Sequence, residues 1–111
     1  MSEGNLKIDV QRDGRSCRIH LAGEIDMSSA PLLRKTLLEV IEVPFDKLLI
    51  DLSQVGYIDS SGVGTIVELR RRIDRSGGDL LLAGLQDRVR SVFEITKLDK
   101  FFTIVDDAES A

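Results

Sequence analysis

The stretch VGYIDSSGVGTIVEL, Val55 to Leu69, puts an acid, two hydroxyls and two glycines where an apolar, strand-like run gives way to helical spacing. Asp59, Ser60, Ser61 and Gly62 suit four different chemistries. They resemble a nucleophile site, a phosphate cradle, a phosphorylation site and a plain helix cap. Each chemistry makes its own demand on the rest of the chain.

A serine nucleophile needs a base within hydrogen-bond reach, usually a histidine. The single histidine is His20. It shares strand parity with Ser16 and Arg18, so it points away from Cys17, Ile19 and Leu21 and reads as a solvated strand residue. The G-x-S-x-G elbow is also missing, because Gly56 stands four residues before Ser60. A serine hydrolase is therefore not expected. Gly62 and Gly64 supply only part of a dinucleotide fingerprint, and Thr65 follows Gly64 where a phosphate loop needs lysine. No cofactor is expected. Cys17 is the single cysteine, so neither an internal disulfide nor a zinc cluster can form, and no metal site is expected. Cys17 reads as a small core residue. Glu24 and Asp26 read as loop acids, with no acid–base chemistry implied. Arg70, Arg71 and Arg72 read as the solvated face of a helix.

Two readings of the junction remain. As a cap, Ser60 or Ser61 starts the helix by accepting a free backbone N–H. That explains one serine but not Gly62 and Gly64, since glycine inside a helix costs roughly 1 kcal/mol against alanine. As a switch, the glycines leave the helix end open to another molecule. A phosphate on a serine there is tolerated by the helix N-terminus and adds close to two negative charges beside Asp59.

The elements that must hold this junction follow from periodicity. Leu6, Ile8 and Val10 alternate with polar residues, Asp13-Gly14 signals a tight turn, and Cys17, Ile19 and Leu21 alternate again, so the two runs predict a hairpin. Ser28 or Ser29 can cap a first helix with Pro31 in its first turn, Leu33, Leu37, Val40 and Ile41 on one face, and Pro44 as its stop. Lys47 to Leu52 predicts a buried strand leading into the junction. Val63, Ile66, Val67 and Ile73 predict the second helix, ended by Gly77-Gly78. Asp79 to Ala83 predicts a strand. Asp87 can cap a third helix with Val89, Val92, Phe93 and Thr96 inward. Phe101 to Val105 predicts a last strand, and Asp106 to Ala111 a final turn or short helix. The order β-β-α-β-α-β-α-β predicts an α/β fold, a mixed sheet of an opening hairpin plus parallel strands.

With 111 residues, 42% apolar and 31% charged, the chain reads as one globular domain over 1–111 rather than a disordered segment. A net charge of −4 argues against nucleic acid as a partner. The start MSEGNLKIDV has no apolar signal core, and no apolar run approaches the ~18 residues of a membrane span. The expected compartment is the cytoplasm, without membrane insertion.

The combination is more specific than its parts. Gly23-Glu24-Ile25-Asp26, then Leu49 to Val55 leading into Tyr57-Ile58-Asp59-Ser60-Ser61-Gly62-Val63-Gly64, closely resembles the STAS-domain anti-sigma factor antagonists of bacteria. Leu80 to Gly84 and Val89 to Phe102 extend the likeness over essentially the whole chain. The resemblance implies a mixed sheet packed with about four helices and a non-enzymatic partner switch. It implies that the unmodified protein binds an anti-sigma factor that is also a serine kinase, freeing a sigma factor. It implies phosphorylation of Ser60, the serine directly after the aspartate, and resetting by a serine phosphatase. Asp26, Asp59, Ser60, Ser61 and Gly62 would form the partner-binding surface, with Ser61 supporting the helix start. The free protein is expected to be monomeric. Relatives in secretion, stress complexes or lipid transport imply an alternative, a constitutive scaffold subunit without sigma-factor control.

Overall fold

A computed structural model describes residues 2–3 and 5–110. The strands are β1 (Ser2–Glu3), β2 (Leu6–Asp13), β3 (Ser16–Ile25), β4 (Lys47–Ile58), β5 (Asp79–Ala83) and β6 (Thr103–Val105). The helices are α1 (Ala30–Ile41), α2 (Ser60–Ser76) and α3 (Asp87–Ile95), followed by a 3₁₀ turn at Ala108–Ser110. Three α-helices and a turn thus stand where about four helices are expected. The polar, acidic end of the chain has too little apolar surface to hold more than a turn. Ala111 lies outside the described residues.

The strands form one sheet in sequence order. β1–β2 and β2–β3 pair antiparallel, and β3–β4, β4–β5 and β5–β6 pair parallel, so the sheet is mixed as the periodicity predicts. Each parallel step crosses over through one helix. Register puts Cys17 beside Leu48 and Leu48 beside Leu80, then Ile19 beside Ile50 and Ile50 beside Leu82. This face carries the core, where Leu33 and Leu37 of α1, Ile66 and Ile73 of α2, and Val89 and Phe93 of α3 join it. Phe93 meets Phe102 edge to face at 5.6 Å. Cys17 is buried here, and burial pushes its thiol up against the pull of Arg12.

β4 is longer than its apolar run suggests. It slips register twice against β3, between His20/Ala22 and between Gly23/Glu24. At the first slip the Asp51 carboxylate accepts the Ser53 N–H at 2.9 Å, which marks a local break in strict alternation. The slips change which residues point inward. Leu52, Val55 and Ile58, spaced by three, are all buried. Tyr57 is left outside.

Three local expectations change. Ser29 occupies the cap position of α1, but its hydroxyl makes no cap bond. The cap of α3 is Gln86, with Asp87 as the first helical residue. Arg70 is not a solvated residue: its guanidinium lies 5.7 Å from the Phe101 ring centroid, and its buried Nε lacks a hydrogen-bond partner among the described residues.

Helices α1 and α2 are clamped through Glu68. Arg34 donates to both of its oxygens at 2.8 and 2.9 Å, and Arg72 adds a bond at 3.0 Å. These guanidinium contacts, Arg34 first, lower the Glu68 pKa from 4.5 to about 2 against partial burial. A depressed folded-state pKa means that the folded form favours the carboxylate. The stabilisation is complete above about pH 4.5 and is lost as pH falls toward 2. In chemical denaturation, Glu68→Gln is therefore expected to be less stable than wild type near neutral pH. The gap should close through that acidic window. A gap independent of pH would rule out the ionic origin.

Candidate functional site

The site lies where β3 and β4 end side by side. The Asp59 N–H donates to the Ile25 carbonyl at 3.0 Å, tying the start of α2 to the loop that leads into α1. The two short motifs recognised in sequence thus meet in space.

GEID is explained residue by residue. Gly23 has φ of +119°, and a Cβ there would lie 1.7 Å from the Asn5 carbonyl oxygen. That close approach lets Glu24 N–H donate to the same oxygen at 2.9 Å, while Asn5 Nδ2 donates to the Glu24 carboxylate at 3.1 Å. Ile25 is fully buried. Asp26 folds the loop over its own carboxylate, which accepts the Ser28 N–H and hydroxyl at 2.9 and 2.7 Å and the Ser29 N–H at 3.2 Å. The Ser28 hydroxyl first, then these backbone groups, hold Asp26 below the usual carboxylate range.

Ser29 is the residue that sequence reasoning assigned to the wrong task. It is the buried polar side chain among the described residues. Its hydroxyl accepts from the Asp26 N–H at 3.0 Å and donates to the Glu24 carbonyl at 2.9 Å. It braces the Asp26 loop rather than capping α1.

At the other motif, Asp59 is the cap of α2. Its backbone is extended, and its carboxylate accepts the N–H groups of Ser61 at 2.9 Å and Gly62 at 3.2 Å. The Ser61 hydroxyl donates to the same oxygen. This bond first, with the two N–H groups, lowers the Asp59 pKa against partial burial and the nearby negative charge of Asp26. Both carboxylates are held ionised within each other's field. The helix start therefore belongs to Asp59, with Ser61 as its support.

Ser60 is left in a different state. It is the first residue of α2 and exposed, and its hydroxyl makes no hydrogen bond among the described residues. Gly62 is buried, so it contributes no exposed surface. A Cβ there would lie 2.5 Å from Ile25 Cγ2 and 2.8 Å from Ile58 Cγ1. Gly64 is exposed with nothing within 4 Å of its Cβ position. His20 pairs with Asp51, Nδ1 to Oδ2 at 3.0 Å. Burial alone would raise Asp51, but hydrogen bonds from Ser53 and His20 outweigh it and lower its pKa. That pair sits seven residues before Ile58 on β4, roughly 20 Å from the Ser60 end at strand rise. His20 is not placed to act as a base for Ser60.

Over residues 7–111 the chain matches the model of the STAS domain. The chain belongs to the STAS domain family. This STAS domain is 37% identical over 100 residues to the anti-sigma-B factor antagonist of Bacillus subtilis strain 168, covering 90% of this chain and 91% of that protein. It is 38% identical over 102 residues to the protein of the same name from Listeria monocytogenes serovar 1/2a, covering 90% and 89%. Its fold matches the crystal structure of an anti-sigma factor antagonist from Mycobacterium paratuberculosis with a TM-score of 0.87 and 24% identity, covering 95% and 89%.

Two side chains of this STAS domain escaped sequence reasoning. Met27 is 78% exposed beside Asp26, and Tyr57 is 41% exposed two residues before Asp59. Large apolar side chains held out to solvent beside a polar site suit partner contact. The signal in sequence was weak, because Tyr57 sits in a run whose alternation the register slips disrupt. Among the described residues no acidic, histidine or cysteine cluster is arranged to hold a metal ion, and no helix is long and apolar enough to cross a membrane.

Proposed function

We propose that this STAS domain is an anti-sigma factor antagonist, acting in the cytoplasm and switched off by phosphorylation of Ser60. One observation carries this reading. Of the two adjacent hydroxyls, Ser61 is spent on the Asp59 cap, while Ser60 stands exposed and unbonded at the helix start. Relatives named anti-sigma-B factor antagonists, aligned along nine-tenths of the chain, support the same reading.

The unmodified protein binds an anti-sigma factor that is also a serine kinase, and the sigma factor is released. Met27 and Tyr57 supply apolar contact, with Asp26 and Asp59 as charged neighbours. The kinase then brings ATP to Ser60. The Ser60 oxygen forms a bond to the γ-phosphorus, the bond to ADP breaks, and the hydroxyl proton leaves to a base on the kinase. The product carries about −1.5 to −2 extra charge next to two ionised carboxylates. The helix N-terminus tolerates the phosphate, so the fold persists while the docking surface becomes repulsive. A serine phosphatase removes the group and resets the switch.

The test is reconstitution with a candidate anti-sigma factor kinase from the same genome. Unphosphorylated protein should displace the sigma factor from its complex in size-exclusion chromatography, and the phosphorylated form should not. If the unphosphorylated protein fails to bind that factor, the reading gives way to a constitutive scaffold role.

A further inference from the structure

The outward face of α2 continues from Ser60 in an unbroken stripe. Ser60, Gly64, Val67, Arg71 and Arg75 are spaced by four, three, four and four residues, so they share one side of the helix. That side is opposite the buried Gly62, Ile66, Leu69 and Ile73, while the buried Val63 at its edge and the half-buried Val67 pack on the core. A shallow groove of about 440 Å³ follows it, lined by Gly64, Val67, Glu68, Arg71, Arg72 and Arg75.

The charge on this face opposes that of the whole molecule. α2 carries four arginines against Glu68 and Asp74, a net +2 in a chain of net −4. Glu68 is neutralised by Arg34 and Arg72, and Asp74 lies 3.4 Å from Arg70. Arg71 and Arg75 are exposed and have no ion-pair partner among the described residues. Two cations are thus left over on a face that begins at the modified serine.

We infer that Arg71 and Arg75 are a second docking element that grips an acidic strip on the partner kinase; this rests on the function proposed for Ser60. Helical rise places Arg71 about 16 Å and Arg75 about 22 Å from Ser60 along the axis. When Ser60 lies at the γ-phosphate, both arginines are therefore beyond the nucleotide and meet protein surface. The bare Gly64 and half-buried Val67 let that surface lie flat against the helix between the two contacts. The arginines set affinity and orientation, not chemistry. They also keep an acidic antagonist from being repelled by an acidic partner segment.

The experiment measures kinase binding and Ser60 phosphorylation for wild type, Arg71→Glu/Arg75→Glu and Lys7→Glu. Lys7 alternates away from the buried Leu6 and Ile8, so it tests a charge change on the other face of the sheet. The double variant should bind about 10-fold or more weakly at low salt. The defect should shrink at high salt, where the screening length falls from ~10 Å at 0.1 M to ~3 Å at 1 M. Its KM for phosphorylation should rise with kcat unchanged, and Lys7→Glu should stay close to wild type. Circular dichroism checks that the double variant is folded. Equal binding by wild type and the double variant overturns this inference and leaves the Ser60 switch standing. A wild type that does not bind the kinase overturns both. Arginine-dependent binding to phosphatidylglycerol vesicles, with kinase affinity unchanged, overturns it in favour of a membrane surface.

Discussion

Ser60→Ala should take up no phosphoryl group from the cognate serine kinase and ATP, whereas wild type should gain one by intact mass. Ser61→Ala still gains one. This is the expected result, and it separates two neighbours of identical chemistry. The Ser61 hydroxyl is half-buried and already donates to Asp59, so attack from that oxygen would require breaking the bond that supports the cap of α2. The Ser60 hydroxyl has no such bond to break and projects from the first turn into solvent. Ser61→Ala should weaken the helix start by about 1 kcal/mol, the usual size of one hydrogen bond, without removing the acceptor. Ser60→Asp should bind the kinase less tightly than wild type, through negative charge added beside Asp26 and Asp59. It should do so less completely than the phosphoprotein, since a carboxylate carries about half the charge. Phosphorylation that survives Ser60→Ala would sink the assignment, and equal kinase affinity of Ser60→Asp and wild type would remove its electrostatic part.

The second large effect is a pair of alanine substitutions, two residues apart, with opposite signs. Gly62→Ala should destabilise the fold by about 1–3 kcal/mol, the range for overpacking a filled site. Its new methyl group would collide with Ile25 and Ile58, both buried and branched at Cβ, so neither can swing aside. Gly64→Ala meets nothing within 4 Å and should stabilise the helix by roughly 0.5–1 kcal/mol. Urea denaturation of the three proteins measures both. Against a total stability of about 5–15 kcal/mol, the Gly62 loss is large. Gly62→Ala should also loosen the join between Ile25 and Asp59 that brings Asp26 to the site. Equal effects of the two substitutions would show that helix propensity alone governs this turn. Gly64→Ala that stabilises the fold while weakening kinase binding would show that the open patch beside Ser60 is used by the partner.

Much of the architecture was legible because burial leaves a period in the chain. Cys17, Ile19 and Leu21 alternate because one sheet face is covered, and Asp13-Gly14 turns because Gly14 supplies a φ of +61°. Leu33, Leu37 and Val40 repeat because α1 buries one stripe. The helical order between β3 and β6 followed from such periods. The failures have equally local causes. β4 slips register twice, so alternation broke down before Ile58 and concealed the outward turn of Tyr57. Ser29 has a capping type at a capping position, yet the Glu24 carbonyl and the Asp26 N–H claim its hydroxyl first. Arg70 belongs to a charged run, but helical rotation carries it onto Phe101.

The sequence by itself determined the elements, their order, the family resemblance and the two motifs, because these depend on residue type and short-range spacing. It could not distinguish what Gly62 and Gly64 are for, or which serine is free. The first answer depends on an atom distant along the chain, the second on the Asp59 carboxylate that holds the Ser61 hydroxyl within the first turn. Ile25 comes from β3, 37 residues before Gly62, and together with Ile58 it makes one glycine a packing necessity, while the other is left a bare surface. Only the tertiary structure brought Asp26 into the field of Asp59, assigned the cap to Asp59, and left the Ser60 hydroxyl exposed. Three-dimensional contact, within the first turn at Asp59 and between segments at Ile25, and not the local period, decides which polar group is already satisfied and which remains available to a partner.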